Sequence, residues 1–143
     1  MKKCALFPMT QVWERLFIGS IEDAERLAKS NPHRVTTVLT LCTEPVAKRA
    51  RRVNYLHIPI PDATPISVGE FDAVIDGVAE NIRWGTVLLQ CGSGLNRAPI
   101  MAAAWMHVVG YKNIDAALEE IAGLRPTITP SDTLLASAKE HLR

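Results

Sequence analysis

The sequence predicts an α/β fold, a mostly parallel sheet of four to five strands covered by helices on both faces. Three observations carry this expectation. Periodic segments alternate along the chain as strand, helix, strand, helix, strand, helix, strand, then three helices. Val87-Leu88-Leu89 is a short unbroken apolar run, which suits a strand shielded on both faces. Ile100 to Val109 is apolar nearly all round, so the helix it forms is expected to be buried.

Val12 to Ile18 alternates loosely and reads as an edge strand. Ser20 with Asp23 is an acidic N-cap pattern. Ile21, Ala24, Leu27 and Ala28 then form the apolar face of a short helix that Asn31-Pro32 stops. Val35 to Leu41 is β-branched and apolar, as an interior strand requires. Thr43 to Arg52 reads as a brief basic helix broken early by Pro45, and Val53 to Ile58 as the next strand. Pro59 to Pro65 is punctuated by prolines and can be neither helix nor inner strand.

Ser67 and Glu70 form a capping box. Phe71, Val74, Ile75, Val78, Ala79 and Ile82 keep helical spacing from there to Trp84-Gly85. Asn113 to Ala122 is amphipathic through Ile114, Ala117, Leu118 and Ile121, with Gly123 as its cap. Thr129-Pro130-Ser131-Asp132 opens the last helix. Trp13, Trp84, Trp105, Met101 and Met106 read as packing residues.

Between the strand ending at Gln90 and the buried helix lies Cys91-Gly92-Ser93-Gly94-Leu95-Asn96-Arg97. Gly92 and Gly94 let the backbone turn sharply and approach a ligand closely. Pro99, lacking an N–H, fits the first turn of the following helix. The loop therefore sits on a helix N-terminus, where successive N–H groups and the helix dipole attract an anion. Arg97 adds a planar fork matched to phosphate oxygens. Cys91, expected at the mouth, is placed where a thiol loses its proton readily, and a thiolate facing a bound phosphate is a nucleophile aimed at phosphorus. Alone, Cys91 reads as a buried structural thiol and Arg97 as a surface ion pair. Together, around two glycines, they make a phosphate site. No Gly-Lys-Ser/Thr ending is present for a nucleotide P-loop, and the third glycine of a dinucleotide fingerprint is replaced by Arg97.

Cys91 to Arg97 resembles the Cys-x5-Arg loop of the cysteine-dependent tyrosine phosphatase superfamily, with Gly94 at that family's glycine position. The compact dual-specificity type is the most similar. Arg15 to Ser20 resembles its first strand and turn, Ile58 to Asp62 its general-acid loop, and Arg125 to Pro130 its entry to the last helix. The resemblance implies the three-layer phosphatase fold and one catalytic domain over residues 1–143. It implies phosphate monoester hydrolysis through a cysteinyl-phosphate. Cys91 would be the nucleophile and Asp62 the acid and base. Arg97 and the N–H groups of Gly92, Ser93, Gly94, Leu95 and Asn96 would bind phosphate. From the loop alone, Asp62 is a turn organiser; beside Cys91 and Arg97 the acid role is favoured.

This chain departs from the family pattern at three places. Gln90 stands where His usually precedes the nucleophile, so the resemblance implies a less acidified Cys91. Ala98 stands where Ser or Thr usually follows the arginine, which implies slow hydrolysis of the phosphoenzyme. Ser131 stands where Asn is frequent. Cys42 ends the second predicted strand and reads first as a buried cysteine. By resemblance it is also a candidate to trap oxidised Cys91 as a disulfide.

A chain of 143 residues, 48% hydrophobic, is long enough to bury one core. Its net charge of +1 creates no broad field for nucleic acid or membrane. His33, His57, His107 and His141 are scattered without metal-ligand spacing, and no metal or other cofactor is expected. Met1-Lys2-Lys3 is followed by an apolar run too short for export, and no run of apolar residues is long enough to span a bilayer. Free cysteines suit a reducing, cytoplasmic setting. The expected partner of a monomer is a phosphorylated protein or a small phosphate monoester. Leu95 and Asn96 leave the loop without the extra lysines of phosphoinositide-directed members. Two other classes use a similar cradle: a pseudophosphatase that holds phosphopeptides with little turnover, and a sulfurtransferase. The Asp62 loop and Gly94 argue against the latter.

Overall fold

The structure is a computed structural model that describes residues 8–142. The basic start and short apolar run at residues 1–7 lie outside the described residues. Five strands, β1 (Thr10–Trp13), β2 (Leu16–Gly19), β3 (Val35–Thr40), β4 (Asn54–His57) and β5 (Thr86–Gln90), form one sheet in the order β1-β2-β5-β3-β4. β1 and β2 pair antiparallel, and every other pairing is parallel. The helices are α1 (Ile21–Arg26), α2 (Val68–Ile82), α3 (Arg97–Val108), α4 (Ile114–Leu124) and α5 (Asp132–His141).

Side-chain alternation along the strands divides the core in two. Leu16, Ile18, Leu39, Val87 and Leu89 face one way and pack with α2, α3, α4 and α5. Phe17, Val38 and Leu88 face the other way and pack with Ala24 of α1, Leu27 and Val46. Val35 breaks the alternation. The register slips between Val35 and Thr37, so a bulge at Thr36 returns Val35 to the α1 face. The predicted sheet with helices on both faces is what the chain builds.

Four local expectations are corrected. Val12 to Ile18 is two strands rather than one: the chain turns at Glu14-Arg15 into a hairpin, with Arg15 at φ 55. β2 consequently lies between β1 and β5 and is fully buried. No Gly or Asn marks that turn, so the pattern hides it. Arg15 is instead held from outside, its Nε donating to Ile82 O at 3.2 Å and its carbonyl accepting from Val87 N at 2.9 Å.

Thr43 to Arg52 forms no helix. Side chains capture its backbone, Ala47 N donating to Glu25 Oε2 and Ala50 N to Tyr55 Oη, which leaves no helical ladder. Gly123 lies inside α4, which runs on to Leu124. The helix stops at Arg125 (φ −136) because a residue before proline is disfavoured in the helical region. Trp84 is 57% exposed and packs in no core, whereas Trp13 and Trp105 meet edge to face at 6.0 Å.

The two sequence-predicted caps, at Ser20 and Ser67, form as read. Ser20 with Asp23, and Ser67 with Glu70, complete reciprocal capping boxes on α1 and α2. Ser131 caps α5 through Leu134 N, and Asn113 caps α4 through Ala116 N. Each such cap is worth about 1 kcal/mol. None of the described helices is long and apolar enough to cross a membrane.

Candidate active site

The parallel register aligns four strand ends. Gly19 of β2 lies opposite Gln90 of β5, Gln90 opposite Thr40 of β3, and Thr40 opposite His57 of β4. The segments that follow these residues therefore gather at one edge of the sheet, where parallel sheets bind ligands. They include Cys91 to Arg97 after β5 and the Asp62 loop after β4. Ile60 anchors that second loop. It is fully buried, and its N–H donates to Leu41 O at 2.8 Å.

The scaffold fixes the loop after β5 by its carbonyls. Gly92 O accepts from Ile21 N at 3.1 Å, Gly94 O from Arg125 Nε at 3.1 Å, and Leu95 O from Thr129 N at 2.7 Å. The N–H groups of Gly92, Ser93, Gly94 and Asn96 have no protein acceptor among the described residues. With the carbonyls spent on the surrounding protein, unpaired donors remain for an anion. Gly94 makes this path possible. At φ +74, a Cβ there would lie 2.6 Å from the Gly19 carbonyl carbon. Gly92 is under no such demand. A Cβ there would meet only Arg97 Nη2 at 3.7 Å, so the sharp turn belongs to Gly94 alone.

Cys91 lies on the floor of the loop, not at its mouth, and is 1% exposed. Its sulfur accepts from Ala98 N, in the first turn of α3, at 3.4 Å. The positive end of the helix thus faces the sulfur. α3 begins at Arg97, three residues earlier than the apolar run suggested, and Ala98 through Met106 are all buried. Pro99 lies in its first turn, where a missing N–H costs nothing.

Arg97 and Asp62 meet. Arg97 Nη1 donates to Ile60 O at 2.9 Å, and Arg97 Nε lies 3.3 Å from Asp62 Oδ1. The second is an ion contact whose angle falls outside a hydrogen bond. Asn96 Nδ2 donates to the same Oδ1 at 2.8 Å. Asp62 is 64% exposed at its side chain, against 12% for Arg97. The predicted nucleophile, arginine and acid are thus brought to one place.

Cys42 lies at the same edge but is tied elsewhere. Its sulfur accepts from Gln90 Nε2 at 3.3 Å and donates to Glu44 O at 3.3 Å. His57 Nε2 contacts Cys42 O at 2.7 Å. Gln90 is fully buried.

Sequence reasoning missed Arg125 as a site residue. It is 2% exposed, beneath the loop. Besides Gly94 O, it donates to Pro8 O at 2.7 Å and Thr10 Oγ1 at 2.9 Å. Burial pushes its pKa down, opposed by the charges of Asp23 and Cys91. The available signal was a lone arginine placed before Pro126 at the end of an amphipathic helix. No cluster of three or more His, Cys, Asp or Glu suited to a metal occurs among the described residues.

The phosphatase domain of the Swiss Army Knife proteins, of the dual-specificity tyrosine phosphatase type, has a family model that matches residues 18–140. The chain belongs to this family. The match runs from the buried strand before the capping box to the last helix, so it includes every residue of the site. A Dictyostelium discoideum protein assigned as a dual specificity protein phosphatase is 25% identical over 126 residues, covering 87% of this chain and 58% of its own length. Dual specificity protein phosphatase 18 of Pongo abelii is 23% identical, covering 86% of this chain and 66% of its own length. The phosphatase domain here thus spans about three fifths to two thirds of these relatives. A mouse protein assigned as a dual specificity phosphatase, in complex with zinc tungstate, superposes with a TM-score of 0.84 at 20% identity, over 99% of this chain and 90% of its own. DUSP15 superposes with a TM-score of 0.80 at 22% identity, over 95% and 85%. At such identities the superpositions establish the fold.

Proposed function

We propose that this chain is a phosphate monoester hydrolase of the protein tyrosine and dual-specificity type, working through a cysteinyl-phosphate. The observation that carries this reading is the loop after Cys91, whose carbonyls are spent on the scaffold while its N–H groups are left without protein acceptors, with Ala98 N–H meeting the Cys91 sulfur. In the first step the Cys91 thiolate attacks phosphorus in line. The S–P bond forms as the P–O bond breaks, and Asp62 gives its proton to the departing oxygen. Arg97 and the loop amides hold the equatorial oxygens and meet the spreading negative charge. In the second step water attacks phosphorus and gives a proton to Asp62, and the electrons of the S–P bond return to sulfur. Every charge the transition state develops has a protein donor, so the scheme uses no metal.

Phosphotyrosine, with phosphoserine or phosphothreonine, is the proposed substrate class, and small phosphate monoesters compete with it as candidates. Cysteine chemistry favours a reducing compartment, and we assign the protein to the cytoplasm on that ground. The proposed chemistry calls on Cys91, Asp62 and Arg97 of a single chain and requires no second copy, so a monomer is proposed. Nucleic acid and membrane are not proposed partners, since a net charge of +1 steers neither. Cys42 is proposed as a redox partner of Cys91, since Thr40, two residues before it, pairs with the residue before the nucleophile.

Hydrolysis of 4-nitrophenyl phosphate by wild type, Cys91→Ser and Asp62→Asn tests the proposal. Turnover is expected to be abolished in Cys91→Ser, and in Asp62→Asn the steady-state rate should fall about 10²-fold through loss of the base in the second step. The unusual Gln90 and Ala98 favour one second reading, a pseudophosphatase. Phosphopeptide binding by wild type without turnover would install that reading in place of the first. Thiosulfate sulfur transfer would instead install the sulfurtransferase.

A further inference from the structure

We propose that the Asn96 side chain is a positioning residue, an amide clasp that orients Asp62 over the phosphate cradle. This rests on the hydrolase reading above. Asparagine is a favoured helix cap, and Asn96 occupies the cap position of α3. Yet it makes no side-chain cap bond there, at φ −125 and ψ −75. Both ends of its amide are used elsewhere. Nδ2 donates to Asp62 Oδ1 at 2.8 Å, and Oδ1 accepts from Ser131 N at 2.7 Å. The partners leave no freedom in the assignment. Exchanging the amide oxygen and nitrogen would set oxygen against a carboxylate and N–H against N–H.

One side chain therefore joins three segments: the phosphate loop, the acid loop and the start of α5. Asp62 needs such a tie. Its loop is anchored at Ile60, but residues 61–65 are all exposed. A carboxyl group on an exposed loop samples many orientations, whereas proton transfer requires one. The clasp takes Oδ1 and Arg97 Nε flanks the same atom, so Oδ1 is fixed from two sides. Oδ2 has no hydrogen-bond partner among the described residues, and it is the oxygen left to carry the proton. A protonated carboxyl still accepts a hydrogen bond at its carbonyl oxygen, so the clasp serves Asp62 as acid in the first step and as base in the second.

The test is leaving-group dependence. 4-Nitrophenolate departs with little help from an acid, whereas phenolate needs the proton. Asn96→Ala is expected to lower kcat/KM for phenyl phosphate about tenfold or more, part of the roughly 10²–10⁴-fold a general acid supplies. The loss with 4-nitrophenyl phosphate is expected to be less than about threefold. Asn96→Asp keeps an acceptor for Ser131 N–H but removes the donor to Asp62, so it separates the two bonds and should reproduce the same discrimination. In an Asp62→Ala background, Asn96→Ala should add nothing. Equal losses on both substrates would overturn the clasp while leaving the hydrolase reading intact. So would wild-type behaviour in Asn96→Asp, or an added loss in the Asp62→Ala background. Absence of turnover by wild type on either substrate would overturn both.

Discussion

The backbone N–H of Ala98 points at the Cys91 sulfur across 3.4 Å, and the Ala98 side chain offers that sulfur only a methyl group. In the proposed phosphoenzyme the sulfur would be the leaving group of the second step, departing as an anion. One N–H stabilises it where family members usually add a hydroxyl. Hydrolysis of the intermediate should therefore limit turnover. Rapid-quench mixing with 4-nitrophenyl phosphate is expected to show a burst of nitrophenol followed by a slow linear phase, and Ala98→Ser is expected to raise the linear rate about tenfold, the worth of one added interaction near 1.4 kcal/mol. A linear trace without a burst would contradict this.

Gly94→Ala should cost the protein both its site and some of its stability. The residue sits at φ +74, and a Cβ there would lie 2.8 Å from Gly19 O and 2.9 Å from Arg125 Nη2 besides the 2.6 Å carbonyl-carbon contact. Backbone on that side cannot give way, because Gly19 belongs to a buried strand. Left-handed strain and the clash together are expected to lower the unfolding free energy by about 2–4 kcal/mol. Denaturant melts read the stability loss, and tungstate binding followed calorimetrically should disappear with it.

Arg125 is the second support of the same loop. Its guanidinium ties Gly94 O to Pro8 O and Thr10 Oγ1, so a single fork spans the phosphate loop and the first strand. Arg125→Met keeps the length of the side chain but leaves Gly94 O without its donor. A stability loss of about 2–3 kcal/mol is expected from the lost charged hydrogen bonds. Arg125→Lys should recover only part of it, because a point ammonium cannot reproduce the fork. Thermal melts of the two variants beside wild type check the order.

Much of this site was legible in the sequence because its chemistry is local. Cys91 and Gly94 belong to one short loop after a strand of five residues, Arg97 opens the helix of twelve that follows, and the apolar pattern on either side marks both. The caps at Ser20 and Ser67 were legible for the same reason, since each closes a bond within three residues. What stayed hidden depends on distant partners. The hairpin turn at Arg15 is held by Ile82 and Val87, and the segment from Thr43 to Arg52 is unwound by Glu25 and Tyr55. Arg125 reaches Pro8 across 117 residues, and Asn96 reaches Asp62 across 34. No periodicity records such contacts.

Cys42 and Cys91 provide the last prediction. Both are buried and free, and the sulfur of Cys42 is held by Gln90, the residue that precedes the nucleophile. Peroxide converts the Cys91 thiolate to a sulfenic acid, releasing water or hydroxide. The Cys42 thiol can then attack that sulfur. The S–S bond forms as the S–O bond breaks, and a second water leaves with the thiol proton. To do so Cys42 must release Gln90 Nε2 and Glu44 O, two weak sulfur contacts at 3.3 Å. Peptide mapping after mild peroxide is expected to recover the Cys42 and Cys91 peptides as one disulfide-linked species that thiols reduce with return of activity. Cys42→Ser should instead accumulate sulfinic Cys91 and lose activity irreversibly. Over-oxidised Cys91 in wild type, with no cross-link to Cys42, would leave Cys42 as a core residue whose sulfur does no more than fill the space beside Gln90.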